Sequence, residues 1–369
     1  MPDMTNEQAA IRDLTRDFVR KEITPFAAEW DRTGTVPLET VKKAGALGLF
    51  DVADFLTYIL VTEELAYGDA GVCNMISATN AFAWKVRDHG TPAQKERFLR
   101  PVTAGEALAC LMYTEPQAGS DAANQRTRAV RRGDRFIVNG TKSFITSGRS
   151  ASVGVLLAVT DPAAGKRGIS AFLVRTDAPG YRVVRAEDKL GHRTNDTCQI
   201  VLEDLEVPVE DMLGAPGQGL KIALAYLDTG RIGVAAQSVG VARAALDAAL
   251  RYARERETFG KKLIEHQAIA FEVAEMATDV EVARQMCLHA ARLKQSGTRC
   301  IKEASMSKLF AAQMCERVCS AAIQIHGGYG FVRDYPVEKL YRDARVFQIY
   351  DGTNEVQKML IARELSAGG

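Results

Sequence analysis

Apolar and polar positions alternate with helical period through the first hundred residues. Ile11, Leu14, Phe18 and Ile23 recur along Glu7 to Trp30, which predicts one amphipathic helix. Val36-Pro37 opens a second, because proline suits the first helical turn. Thr91-Pro92-Ala93-Gln94 joins a capping box to such a proline. Helices are expected near 6–30, 38–49, 54–67, 71–89 and 92–100. Between about Cys110 and Pro208 the period changes. Arg135–Val138, Val153–Val159, Ile169–Val174, Arg182–Val184 and Cys198–Leu202 are short runs rich in β-branched residues, parted by Gly, Pro, Asp and Asn. Strands so spaced, with no helices between them, predict a small antiparallel barrel or sandwich. After Gly214–Gly219 helical period returns over 219–254, 263–296, 302–326, 336–346 and 354–366, a pattern of the four-helix-bundle type. The expected fold is α+β: an N-terminal helical domain (1–109), a middle β domain (110–213) and a C-terminal helical domain (214–369).

Bulk properties narrow the function classes. With 369 residues the chain exceeds one hydrophobic core. Its 47 basic and 46 acidic residues give no electrostatic reason to expect a nucleic-acid or membrane-surface partner. No stretch approaches the roughly 20 apolar residues of a membrane span. The start, Met-Pro-Asp-Met-Thr-Asn-Glu, lacks the basic segment and apolar run of a secretory signal. Seven scattered cysteines form no Cys-x-x-Cys pair, so reduced thiols, a cytoplasmic location and no metal site are expected. A Rossmann Gly-x-Gly-x-x-Gly, a P-loop and a His-Glu-x-x-His motif are all missing.

Five segments carry candidate chemistry, each with a plainer alternative. Tyr113-Thr114-Glu115-Pro-Gln-Ala-Gly119-Ser120-Asp121 puts hydroxyls beside a glycine that admits a ligand; it reads equally well as a polar turn at a domain boundary. In Val138–Gly148, Asn139-Gly140 predicts a hairpin turn. Phe144 and Thr146 then share a strand face suited to a flat, heteroatom-rich ring, or to an ordinary core. Arg256-Glu-Thr-Phe259-Gly-Lys, with Glu265-His-Gln267, is a loop between long helices that suits a pyrophosphate or merely solvent. Gln324-Ile-His-Gly327-Gly328 ends a helix on glycines that permit close backbone contact, and His326 reads as packed rather than catalytic. Tyr350-Asp351-Gly352-Thr353-Asn-Glu355 sets an acid beside an aromatic before the final helix. That acid is a general base, or Asp351 or Thr353 simply caps the helix.

Together, and in this order, the five segments resemble the acyl-CoA dehydrogenase family over nearly the whole chain. The resemblance rests on Thr-Glu-Pro-x-Ala-Gly-Ser-Asp, Asn-Gly-x-Lys-x-x-Ile-Thr, Arg-x-Thr-Phe-Gly and Tyr-acid-Gly-Thr. It implies FAD as cofactor, its ring against Tyr113, Thr114, Phe144 and Thr146, with Gly119 and Ser120 nearby. It assigns Arg256, Phe259, Gln267, Gln324, Gly327 and Gly328 to the pyrophosphate and adenosine end across a subunit interface, completed by Thr353 and Glu355. It also implies acyl-CoA binding by Ser120, Asp228, Arg231, Asp351 and Gly352. A homotetramer built as a dimer of dimers and electron-transferring flavoprotein as acceptor follow from the same resemblance. Asp351 would take the α-proton while the β-hydrogen leaves as hydride.

Two departures stand out. The family's base is glutamate, and aspartate withdraws the carboxylate by about one carbon–carbon bond, roughly 1.5 Å. The other branch's base position is Gly230 here. The shorter reach favours an α-branched or alicyclic acyl group such as cyclohexanecarboxyl. The alternatives are a short- or medium-chain straight acyl-CoA, or a nitroalkane-oxidase-like flavoprotein. Second, Leu49–Val52 runs straight into Ala53-Asp54-Phe55, where the family carries a longer loop; a segment missing from the sequence is expected there.

Overall fold

The computed structural model describes residues 4–367; Met1–Asp3, read above for a leader, lie outside them. Helix α1 (Asn6–Phe18) begins on a reciprocal Thr5–Gln8 capping box and widens into a π turn over Val19–Ile23. The single helix expected over 6–30 is therefore broken, with α2 (Ala27–Thr33) following Pro25, since proline has no N–H to continue the ladder. Next come α3 (Leu38–Ala46), α4 (Phe55–Gly68) and α5 (Ala70–His89). The chain passes directly from Phe50 to Asp54, which caps α4. Asn80 of α5 satisfies this short connection. Its Oδ1 accepts from Val52 N at 3.0 Å and its Nδ2 donates to Leu49 O at 2.7 Å. Trp84 Nε1 donates to Val52 O at 3.2 Å. These bonds pair the backbone of Leu49 and Val52 across the short junction. Then α6 (Pro92–Gln94) runs through another π turn into α7 (Arg100–Thr103).

The middle region holds β1 (Ala109–Met112), β2 (Arg128–Arg132), β3 (Arg135–Thr146), β4 (Val153–Val159), β5 (Ile169–Arg175), β6 (Tyr181–Ala186), β7 (Thr197–Pro208) and β8 (Met212–Leu213). Strand order is β6-β7-β3-β2-β4-β5-β8, with β1 beside β4. Most pairs are antiparallel, but β1 runs parallel to β4, and β2 meets β4 in parallel through the single pair Arg128–Val159. Among the described residues the sheet does not close into a barrel. The unbroken apolar run of β4, buried at every position, is the mark of a strand covered on both faces. Asn139-Gly140 is also not a hairpin turn: it lies inside β3 at a register shift, and the β2–β3 turn falls at Gly133-Asp134. Gly140 is required by close approach, because a Cβ there would sit 2.4 Å from Thr127 Oγ1.

The rest is α8 (Gly219–Ala225), α9 (Leu227–Glu255), the two-residue strands β9 (Glu257–Thr258) and β10 (Lys261–Lys262), α10 (Gln267–Gln295), α11 (Ile301–His326), α12 (Val337–Ala344) and α13 (Asn354–Ser366). Helix period predicts one element over 219–254; Tyr226 interrupts it. One apolar core runs from α1 through the sheet to α11. Buried ions tie the three regions together. Lys339 pairs with Asp69 at 2.8 Å and with Asp343 at 2.6 Å. Thr194 donates to Asp69 at 2.6 Å and the His192 amide to Asp343 at 2.5 Å.

Candidate active site

Strand β1 ends where the first motif begins, and a buried ion pair fastens it to the second. Lys142 Nζ donates to Glu115 Oε1 and to Gln125 Oε1, both at 2.7 Å. Glu115 also accepts from the amides of Arg126 at 2.6 Å and Thr127 at 3.1 Å. Burial opposes ionisation of Glu115, but Lys142 and these amides hold its carboxyl down at about 2. Burial draws Lys142 down to about 8, so the pair is ionised between those limits. Ser143 N donates to Thr114 O at 2.9 Å, and the β3 ladder shifts register there. Phe144 takes a left-handed backbone (φ 57°) and is 66% exposed. Phe144 and Thr146 thus both face outward beside buried Ile145, although a bulge rather than plain alternation turns them out. Gly119 and Ser120 are exposed, and a Cβ on Gly119 would meet nothing within 4 Å.

The final motif meets α9. Asp351 has a left-handed backbone (φ 51°), a strained state for a non-glycine residue and a common mark of functional sites. Its carboxylate faces Gly230, where a Cβ would stand 3.4 Å from Oδ2. The two base positions weighed from sequence therefore occupy one space. No side chain or amide of the described residues hydrogen-bonds this carboxylate. The surrounding protein pushes its pKa up, and Lys308, Lys85 and Arg231 partly offset that. Asp351 is nonetheless exposed to solvent, so it stands in a recess open to water. Lys308 Nζ donates to Gly352 O at 2.9 Å, and Gln357 Nε2 to the same oxygen at 2.8 Å, fixing the turn. Arg231 is buried and pairs with Asp228 at 2.7 Å, leaving its Nε without a partner. Thr353 caps α13 through Val356 N, and Glu355 is exposed on the first turn. Capping thus falls to Thr353 and leaves Asp351 free.

The third and fourth motifs form a separate face. The Arg256 guanidinium lies 5.7 Å from the Tyr329 ring, and Phe259 is 97% exposed with φ 51°. Gln267, Gln324, Gly327 and Gly328 are exposed, and Cβ atoms on either glycine would meet nothing within 4 Å. His326 stacks on Tyr252 at 4.3 Å and bonds Ala322 O through Nδ1, a packed residue as expected. Arg231 and Arg256 stand near opposite ends of α9, about 37 Å apart at 1.5 Å per residue. One chain does not bring this face to Asp351.

Sequence reasoning missed Tyr58, Ser77, Lys85, Gln237 and Lys308. Tyr350 Oη donates to Gln237 Oε1 at 2.5 Å, and Gln237 Nε2 to Ser77 Oγ at 3.3 Å. A Cβ on Gly233 would lie 3.3 Å from Tyr58 Oη. The available signal was a charge inside an apolar helical run: Lys85 follows Ala81-Phe-Ala-Trp84, and Lys308 sits on the stripe of Ala304, Ala311 and Ala312.

Models of three domains of one family match in sequence: acyl-CoA dehydrogenase N-terminal domain over residues 5–106, middle domain over 110–205 and C-terminal domain over 217–366. A probable acyl-CoA dehydrogenase of Bacillus subtilis is 43% identical, covering 98% of this chain and 99% of that protein. The caffeyl-CoA reductase–Etf complex subunit CarC of Acetobacterium woodii is 40% identical over 97% and 98%. The solved butyryl-CoA dehydrogenase of Megasphaera elsdenii superposes with a TM-score of 0.95 at 41% identity, over 99% of each chain. Helices, middle sheet and helical bundle are thus those of a flavin-dependent oxidoreductase. The chain belongs to the acyl-CoA dehydrogenase family, with FAD as cofactor and an acyl-CoA as substrate. The residues present fit such a group: the Tyr113 hydroxyl is buried with no partner, Phe144 offers an uncovered ring, and the bare backbones of Gly119, Gly327 and Gly328 admit a ligand. No helix among the described residues is long and apolar enough to cross a membrane.

Proposed function

We propose that this enzyme dehydrogenates a short acyl-CoA across its α and β carbons, with Asp351 as the base. The observation that carries the reading is a carboxylate with no hydrogen-bonding partner, raised in pKa by its surroundings, in an open recess. A weakly acidic carbon proton needs an aligned base whose lone pairs are not already engaged. The Asp351 amide and the buried Arg231 supply positive character for the thioester oxygen and the CoA chain, together with Ser120, Asp228 and Gly352. Bound FAD supplies the hydride acceptor. Tyr113, Thr114, Gly119, Ser120, Phe144 and Thr146 hold its ring end. Arg256, Phe259, Gln267, Gln324, Gly327 and Gly328, with Thr353 and Glu355, hold the far end. The length of α9 between Arg231 and Arg256 supports a flavin shared between two copies, the unit from which the homotetramer implied by the family resemblance, a dimer of dimers, would be built. The name of the Acetobacterium relative supports electron-transferring flavoprotein as acceptor.

Tyr58 and Trp84 pack edge to face at 4.7 Å beside Gly233, a wall that favours a short acyl chain over the alicyclic one suggested by reach alone. The butyryl-CoA dehydrogenase relative supports the same choice. Anaerobic bleaching of the bound flavin by butyryl-CoA and cyclohexanecarboxyl-CoA tests both halves. Butyryl-CoA is expected to bleach faster, and Asp351→Asn to slow bleaching by roughly 10²–10⁴ while the protein stays yellow. Bleaching of the variant at the wild-type rate would overturn the assignment of the base.

A further inference from the structure

The recess beside Asp351 is polar along its length. Gly230 and Gly233, one turn apart on α9, leave that face of the helix without side chains. Behind it run the Tyr58 hydroxyl and the chain Tyr350–Gln237–Ser77, linked by the bonds described above. About two turns beyond Ser77 on α5 lies Lys85. Its side chain is buried, its Nζ donates one bond, to Ala81 O at 3.0 Å, and it lies 4.5 Å from the Tyr226 ring centroid. No carboxylate of the described residues comes within ion-pairing distance of it. Asp88, the nearest acid in sequence, instead accepts from Tyr226 Oη at 2.6 Å.

A buried ammonium held by one carbonyl and one ring face, with no carboxylate beside it, carries a desolvation cost that these contacts only partly offset. Three cations, Lys85, Lys308 and Arg231, act on Asp351. Asp228 pairs with Arg231 and Glu355 acts on Lys308, whereas among the described residues no second acid acts on Lys85. We infer that Lys85 recognises an oxygen acceptor on the acyl tail beyond the β carbon, a carboxylate best of all, so that the substrate is an oxygenated short acyl-CoA and not a plain hydrocarbon one. An acceptor there completes the hydrogen bonding of the ammonium with a charge-assisted bond. A hydrocarbon tail leaves it stranded, and a site built to bond a polar group rejects the analogue lacking it. Burial pulls the Lys85 ammonium down to about 7, so a carboxylate acceptor that favours the charged form would hold it protonated near neutral pH.

This inference rests on the dehydrogenase reading above, and the test separates the two. Holoenzyme is assayed for kcat/KM with three four-carbon thioesters: butyryl-, 4-hydroxybutyryl- and succinyl-CoA. In each, the α-hydrogen leaves as a proton and the β-hydrogen as hydride, giving crotonyl-, 4-hydroxycrotonyl- and fumaryl-CoA. The wild type is expected to prefer an oxygenated thioester by about 10–150-fold, the range for a hydrogen bond to a charged group. Lys85→Met should reverse that ratio, and Lys85→Arg should keep it. Preference for succinyl- over 4-hydroxybutyryl-CoA identifies the acceptor as a carboxylate; the opposite order identifies a hydroxyl. Should the wild type favour butyryl-CoA, or Lys85→Met lower all three rates equally, the inference fails while the dehydrogenase reading stands. Should none of the three bleach the flavin, the dehydrogenase reading fails with it. The wild-type comparison decides even if a variant does not fold.

Discussion

Glu115 accepts hydrogen bonds from two backbone amides and the Lys142 ammonium, whereas the Asp351 carboxylate accepts none from the described residues, although Lys308, Lys85 and Arg231 act on it. Glu115 is buried and Asp351 stands in a recess open to solvent, and their proton affinities move in opposite directions. The Lys142 charge in direct contact, followed by hydrogen bonds to both oxygens, outweighs burial at Glu115, whereas the cations around Asp351 make no such contact and do not outweigh it. The bonded acid joins two motifs and has no lone pair free for chemistry. The unbonded one keeps its lone pairs and sits on a strained backbone, at a cost in stability that the rest of the fold offsets.

Breaking the bonded acid should produce the largest effect. Glu115→Gln leaves Lys142 buried without its counter-ion, and loss of one partner of such a pair costs about 3–5 kcal/mol. Denaturant unfolding reads this directly. A Glu115→Gln, Lys142→Met double variant should unfold later than the single one; if it unfolds earlier, the pair is not what the site depends on. Acid should act the same way. Because Glu115 is held below its ordinary value, its stabilising contribution of about 3 kcal/mol is complete above the unfolded pKa near 4.3 and is lost as pH falls towards 2.

Arg256→Ala should weaken FAD retention by about 10–150-fold, the range for a hydrogen bond to a charged group, with little effect on folding because Arg256 is exposed. Flavin occupancy after gel filtration checks it, and full retention would remove this face from the cofactor site.

The pH profile sharpens the contrast. Flavin reduction needs Asp351 ionised, so its rate should fall as pH drops through a pKa above the ordinary carboxylate value. A rate that holds steady down to the usual carboxylate range would mean that burial does not control the base. Asp351→Asn should have the smallest effect on stability, within about 0.5 kcal/mol of wild type, since no hydrogen bond to the carboxylate is lost. A large drop in its melting temperature would place Asp351 with Glu115 as a structural acid.

Much of the molecule was legible in the chain. Helical period, the β-branched middle and the motif order identify the α+β fold, because these signals repeat every two to four residues and arise from local backbone geometry. The motifs also pointed to Asp351, Arg231 and the outward-facing Phe144. Local signals misled where a distant neighbour overruled them. Asn139-Gly140 has turn chemistry, yet Thr127 packs against Gly140 and Asp204 bonds Asn139, keeping both in a long strand. The all-apolar β4 was read as antiparallel because its parallel neighbour, β1, precedes it by a long stretch of chain.

By itself, then, the sequence determined the order of the elements and the family, and it nominated Asp351 as the proposed base. Only the tertiary structure decided which charges are spent and which are free. The Glu115–Lys142 bond joins residues 27 apart, and the opposition of Asp351 to Gly230 crosses more than a hundred residues of chain. Lys85 is left without an ion-pair partner because the α8–α9 junction turns the Tyr226 ring, not a carboxylate, towards it. Such outcomes depend on distances between remote segments, to which the repeating pattern of apolar and polar positions is blind. Electrostatic energies change steeply over just those distances.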